Sequence, residues 1–216
     1  MGSVDRPSIG ILGGTFNPPH LAHLAVARHA LEQLGLERVV LMPAGNPPHK
    51  PAERDPGAAH RLRMCQLAAA GVEGLSVCSL EIDRGGPSYT VDTLDAIHAS
   101  HREAELTLIV GADIANTLGS WREPARLLSM ARLAVAARTG SDREPVLETV
   151  AAIAREAGVE AERWPVEFLD MGRIDVSSSM VRERAAERLA LEEQVGRAVA
   201  GYIAEHDLYA TAVASG

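Results

Sequence analysis

Short apolar runs that close on glycine alternate along this chain with stretches whose apolar residues recur every three or four positions. Ser8-Ile9-Gly10-Ile11-Leu12-Gly13 is such a run, the pattern of a strand buried on both faces. Between Leu21 and Leu34 the residues Leu24, Ala27, Leu31 and Leu34 keep helical spacing, and Gly35 predicts the stop. Arg38 to Met42 is β-branched and apolar and reads as a second strand. Further strands are expected over 75–79, 106–110, 132–137 and 166–169, and helices over 60–70, 90–100 and 145–157. From Ser178 onward the tail reads as mostly helical, with Val195, Val199 and Ile203 on one face. Strand and helix alternate throughout, which predicts an α/β fold built on a doubly wound parallel sheet. The expected organisation is a single domain over 1–216, with 178–209 as its small C-terminal helical part.

In such sheets ligands bind beyond the carboxyl ends of the strands. The unusual residues of the chain fall there. Gly13 to His23 follows the first strand, Asn46 to Lys50 the second, and Gly111 to Asp113 the fourth. The 44–57 segment, with Pro47, Pro48, Pro51, Pro56 and two glycines, reads as a long ordered loop, and such loops usually carry function.

Composition narrows the ligand. A formal net charge of −8 argues against a partner that is a nucleic-acid backbone, and aromatics at 3% leave no stacking platform for single strands. A small anion held by a local cluster of His, Lys and Arg remains open. Cys65 and Cys78 are sparse and form no CxxC pair, as expected in a reducing compartment. No apolar signal core and no run of transmembrane length is seen, so the expected location is cytoplasmic and no membrane partner is expected. The oligomeric state stays open, a homo-oligomer included.

The turn Gly13-Gly14-Thr15-Phe16-Asn17-Pro18-Pro19-His20-Leu21-Ala22-His23 joins the first strand to the first helix. Paired glycines let backbone N–H groups approach a phosphate, and a helix N-terminus favours negative charge. His20 and His23 stand three apart, so both imidazoles can face one anion from the first helical turn. Alone, Gly-Gly is a tight turn and HxxH is half of a zinc site; no HExxH or CxxC supplies further ligands, so no metal site is expected. Neither a Walker-A loop nor a full GxGxxG is present.

Taken in order, these residues resemble the paired-histidine HxGH signature of the nucleotidyltransferase superfamily, with Ala22 where the family has glycine. The second hallmark of that superfamily, Ser-Ser/Thr-x-x-Arg near the C-terminus, is matched by Ser178-Ser179-Met180-Val181-Arg182. Four more segments resemble bacterial nicotinate-nucleotide adenylyltransferases: Ser88-Tyr89-Thr90 running on to Asp92-Thr93-Leu94; Gly111-Ala112-Asp113 followed by Trp121; Ala137-Arg138-Thr139-Gly140; and the ending from Tyr202 to Tyr209.

The resemblance implies a Rossmann-like nucleotidyltransferase fold and adenylyl transfer from ATP to nicotinic acid mononucleotide, with Mg²⁺ arriving on the ATP and no dedicated protein ligands. It implies His20 and His23 as catalytic residues. ATP would be held by Gly13, Gly14, Thr15, Phe16, Gly111, Asp113, Ser178, Ser179 and Arg182. The mononucleotide would be held by Lys50, Ser88, Tyr89, Thr90, Trp121 and Arg138. Two alternatives stay open: another acceptor, such as nicotinamide mononucleotide or phosphopantetheine, and a nucleotide-binding member without catalysis, which Ala22 keeps in view.

Overall fold

A computed structural model describes residues 6–47, 54–137, 143–172 and 174–210. Six strands, β1 (Ser8–Gly14), β2 (Arg38–Pro43), β3 (Leu75–Val77), β4 (Glu105–Gly111), β5 (Arg132–Ala137) and β6 (Val166–Asp170), form one sheet in the order β3-β2-β1-β4-β5-β6. Every pairing is parallel, as the apolar runs predict. The strand order reverses between β1 and β4. Ile11 pairs with Val40 on one side and Leu108 on the other, so β1 sits at the centre of the sheet.

Alternation along the strands feeds two cores. Ile9, Ile11, Leu106, Leu108 and Val110 face α4 (Thr90–Ser100), α6 (Pro124–Met130) and α7 (Arg143–Ala157), where Leu94, Leu127, Val150 and Ile153 are buried. Leu12, Val39, Leu41 and Ile109 face the other way, against Ala27 and Ala30 of α1 (Leu21–Leu34) and Cys65 of α2 (Ala58–Ala69). Gly10 belongs to this second face. A Cβ there would stand 2.8 Å from methyl groups of Leu36 and Ile109, so glycine is what lets the layers close. Helix α1 ends as predicted: Gly35, at φ 60°, donates its N–H to the Leu31 carbonyl.

The C-terminal tail is helical in three pieces, α8 (Ser178–Ala186), α9 (Glu192–Val195) and α10 (Arg197–Glu205). Val195, Val199 and Ile203 are buried against Met64 of α2, together with Val181 and Tyr209. Burying three such side chains contributes about 2 kcal/mol each, enough to dock the tail on α2.

Two differences from the sequence reading have local causes. Strand β3 stops at Val77 rather than residue 79, because the chain turns into α3 (Leu80–Arg84). Helices α5 (Ala112–Ala115) and α6 are too short to show a period, although Pro124 opens α6 at a first-turn position. Gly196, at φ 78°, separates α9 from α10, so the mostly helical tail carries Val195 on one piece and Val199 and Ile203 on the next. No helix among the described residues is long and apolar enough to cross a membrane.

Candidate active site

The turn after β1 lies at the point where the strand order reverses, beside the end of β4. Phe16 is buried at a positive φ of 51°, and its ring lies 3.3 Å from where a Cβ on Gly14 would be. Nothing stands within 4 Å of the corresponding position on Gly13, which leaves that backbone open to a ligand. Asn17-Pro18 is a cis peptide, and His20 follows in extended conformation as the residue that caps α1.

The two histidines stack, ring centroids 3.7 Å apart and 25° from parallel, and the Phe16 ring meets His23 edge-on at 4.9 Å. The His20 backbone N–H donates to His23 Nδ1 at 3.2 Å. An accepting Nδ1 carries no proton, so neutral His23 holds its proton on Nε2 and presents that nitrogen as a donor. His20 is buried, and its Nδ1 has no protein partner. Burial pulls the His20 pKa down to about 4, and burial together with the neighbouring His20 holds His23 well below the usual imidazole range. The pair is therefore neutral at pH 7: two N–H donors in a partly dry site, without a standing charge.

Segments 160 residues apart meet here. Ser177 caps α8, accepting the Met180 N–H at 3.2 Å. Ser178 Oγ donates to the Pro18 carbonyl at 2.9 Å. Arg182 donates to the Asn17 carbonyl at 2.9 Å and to Ser179 Oγ at 3.1 Å. Tyr209 completes the clamp, its hydroxyl donating to Asn17 Oδ1 at 2.9 Å inside the protein. The two hallmark motifs thus form one unit, in which the carbonyls of the turn are tied back by Ser178 and Arg182.

The second cluster lies after β2. Ser88 Oγ accepts the N–H groups of Gly45 at 2.9 Å and Asn46 at 3.4 Å, and the Ser88 N–H donates to the Asn46 carbonyl. Asn46 and Pro87 form an isolated parallel bridge. The Tyr89 N–H is taken by the Pro87 carbonyl at 3.2 Å. The Thr93 N–H is taken by the Tyr89 carbonyl at 3.2 Å, so the donors left to this helix start are those of Thr90, Val91 and Asp92. The Arg122 guanidinium lies 5.0 Å over the Tyr89 ring.

Gly111 precedes α5, and Asp113 is exposed in its first turn. Trp121 is half-buried, with its indole N–H donating to Thr117 Oγ1 at 3.1 Å. Ala22 lies in the first turn of α1 and is half-buried. Lys50 and Arg138 lie outside the described residues.

Sequence reasoning missed Arg61. It is fully buried in α2 and donates to the carbonyls of Thr15 (2.9 Å), Ala44 (2.6 Å) and Gly45 (3.0 Å) and to Asp55 Oδ1 (3.0 Å). A signal was present: Arg61 shares a helical stripe with Met64 and Cys65, at spacings of three and four, where an apolar residue is expected.

Among the described residues no group of three or more His, Cys, Asp and Glu is placed to hold a metal ion. The site offers imidazole, hydroxyl, guanidinium and backbone N–H donors, a set that suits phosphate oxygens and not a hard cation.

The family model for cytidylyltransferase-like proteins matches residues 11–184. A protein of Thermomicrobium roseum named "Probable nicotinate-nucleotide adenylyltransferase" is 39% identical over 94% of this chain and 92% of its own length. A Gemmatimonas aurantiaca protein of the same name is 40% identical over 93% and 92%. Among solved structures, the nicotinic acid mononucleotide adenylyltransferase of Plasmodium falciparum complexed with APC superposes with a TM-score of 0.72 at 16% identity, covering 94% of this chain and 97% of that one. At that identity the superposition speaks for the fold, and the sequence relatives speak for the family. With the paired histidines and the Ser-x-x-x-Arg helix joined at the switch point of a 3-2-1-4-5-6 sheet, the chain belongs to the cytidylyltransferase-like nucleotidyltransferases and, among them, to the nicotinate-nucleotide adenylyltransferase family.

Proposed function

We propose that this chain transfers the adenylyl group of ATP to nicotinic acid mononucleotide, forming deamido-NAD and pyrophosphate, with residues 1–216 acting as one nucleotidyltransferase domain. The observation that carries the reading is the neutral, stacked His20–His23 pair locked to the Ser178–Arg182 helix at the sheet's switch point.

A phosphate oxygen of the mononucleotide attacks the α-phosphorus of ATP. The new P–O bond forms as the bond from that phosphorus to the bridging oxygen breaks, and the electron pair leaves on pyrophosphate. A phosphate monoester is already largely ionised at neutral pH, so no general base is required. Catalysis is positioning and charge stabilisation. His23 Nε2–H and the His20 ring face the oxygens around the α-phosphorus, where negative charge builds up as the leaving group departs. Gly13 to Phe16, Gly111 and Asp113 hold ATP; Ser178, Ser179 and Arg182 fix the turn and close on the phosphates. Mg²⁺, carried in on the triphosphate, supplies charge neutralisation for the departing pyrophosphate. The mononucleotide lies toward Thr90 and Trp121, its carboxylate at the start of α4 and its ring against the indole. Ser88 and Tyr89 shape that pocket, and Lys50 and Arg138 are assigned to the mononucleotide by the family resemblance alone.

The test is product analysis. Mg·ATP and nicotinic acid mononucleotide incubated with the purified protein should yield equal amounts of pyrophosphate and deamido-NAD. ATP binding with no dinucleotide formed from this acceptor would contradict the proposal and favour the non-catalytic reading.

A further inference from the structure

Arg61 lies outside both motif pairs, yet its guanidinium touches both substrate loops. Through Thr15 it holds the turn after β1, the ATP side. Through Ala44 and Gly45 it holds the chain leaving β2, which Ser88 joins to the mononucleotide side. Through Asp55, which also accepts the Gly57 N–H at 2.9 Å, it fixes the chain returning into α2. The side chain is 1% exposed and Asp55 is 25% exposed, so the four acceptors surround a cation that water barely reaches.

The planar fork of arginine explains the residue type. It directs Nε, Nη1 and Nη2 to separate acceptors at fixed angles, which a lysine ammonium cannot reproduce. A buried cation needs only one anion to balance it, and Asp55 is that anion. Three further bonds to loop carbonyls are more than charge balance requires. They also come from the carboxyl ends of two adjacent strands, β1 and β2, the two ledges on which the reacting phosphates must meet.

We infer that Arg61 is a positioning residue that sets the distance between the ATP loop and the mononucleotide loop, so that each bound substrate organises the site for the other. This rests on the proposed adenylyl transfer for its kinetic arm and on substrate binding alone for its second arm. An error of about 1 Å in the approach of the reacting groups costs on the order of 10²-fold in rate.

Arg61→Lys is the test. Calorimetry with a non-hydrolysable α,β-methylene analogue of ATP counts the competent sites, and turnover is expressed per competent site. The variant should melt cooperatively, bind close to one analogue per chain and lose at least about tenfold in kcat. In wild type the mononucleotide should tighten analogue binding, and in the variant that tightening should be lost. A purely structural Arg61 would reduce the number of competent sites and leave kcat per site and the tightening unchanged, which would overturn the inference. Should Arg61→Lys fail to fold, Asp55→Ala takes its place: a reduced tightening supports the inference and an unchanged one overturns it. Wild type that binds both compounds but makes no dinucleotide would contradict the proposed function instead, and the binding arm would still decide on Arg61.

Discussion

At the scale of single residues, the two histidines are uncharged before substrate arrives, which suits them to the proposed role as N–H donors to phosphate. Their stacking at 3.7 Å and their burial make a charge on either one costly, while a phosphate at the ring edges would favour it. In the proposed mechanism His23 is a donor to the transferring phosphate, so His23→Ala should lower kcat by about 10²-fold or more in a pyrophosphate-release assay. A near-normal kcat would take His23 out of the mechanism.

The same burial sets a pH dependence for stability. His20 titrates at about 4 in the fold and near 6.5 when unfolded, so between these values the unfolded chain binds the extra proton. Stability is then full above pH 6.5 and falls as pH drops toward 4, by about 3 kcal/mol from this residue alone. Urea melts of wild type and His20→Asn across pH 4–7 should show a steeper decline for wild type. Parallel curves would show that His20 is not depressed.

At the scale of elements, the sequence is most legible where one periodicity runs long enough. Helices α1 and α4 begin and end at the expected residues, and β5 matches throughout. Short elements such as α5 leave no period to read, and the 3-10 turn at Leu118–Ser120 before Trp121 leaves none either. The hydrogen bonds that bind elements together are also illegible in advance. Nothing in Ser88 announces that its hydroxyl would receive the N–H groups of Gly45 and Asn46, since both partners come from a segment 42 or 43 residues earlier. That joint depends on Gly45, whose Cβ position lies 2.5 Å from the Glu81 carbonyl oxygen, a backbone atom with no freedom to withdraw. Gly45→Ala should therefore lower stability by roughly 1–3 kcal/mol and raise KM for the mononucleotide more than for ATP. An unchanged KM for both substrates would show that this joint does not shape the pocket.

At the scale of the molecule, the alternation of strands and helices gives the parallel sheet but not its strand order. The order places the turns after β1 and β4 side by side and so creates the cleft. The paired motifs were legible as a resemblance. Their physical link, Ser178 and Arg182 bonding to carbonyls of the histidine turn, required the folded chain, because the partners lie more than 150 residues apart. Arg61 was legible only as a charged residue within the Met64–Cys65 stripe. Its acceptors, the carbonyls of Thr15, Ala44 and Gly45, come into view once α2 is packed beneath two loops.

The central claim joins this architecture to one reaction and one acceptor, and a side-by-side kinetic comparison tests it most directly. Pyrophosphate release is followed with Mg·ATP and either nicotinic acid mononucleotide or its amide. With the carboxylate seated at the start of α4, kcat/KM for the acid should exceed that for the amide by at least about tenfold, the value of a charge at a helix N-terminus in partly buried surroundings. Equal values for the two would contradict the carboxylate pocket, and turnover with neither would contradict the adenylyl transfer itself.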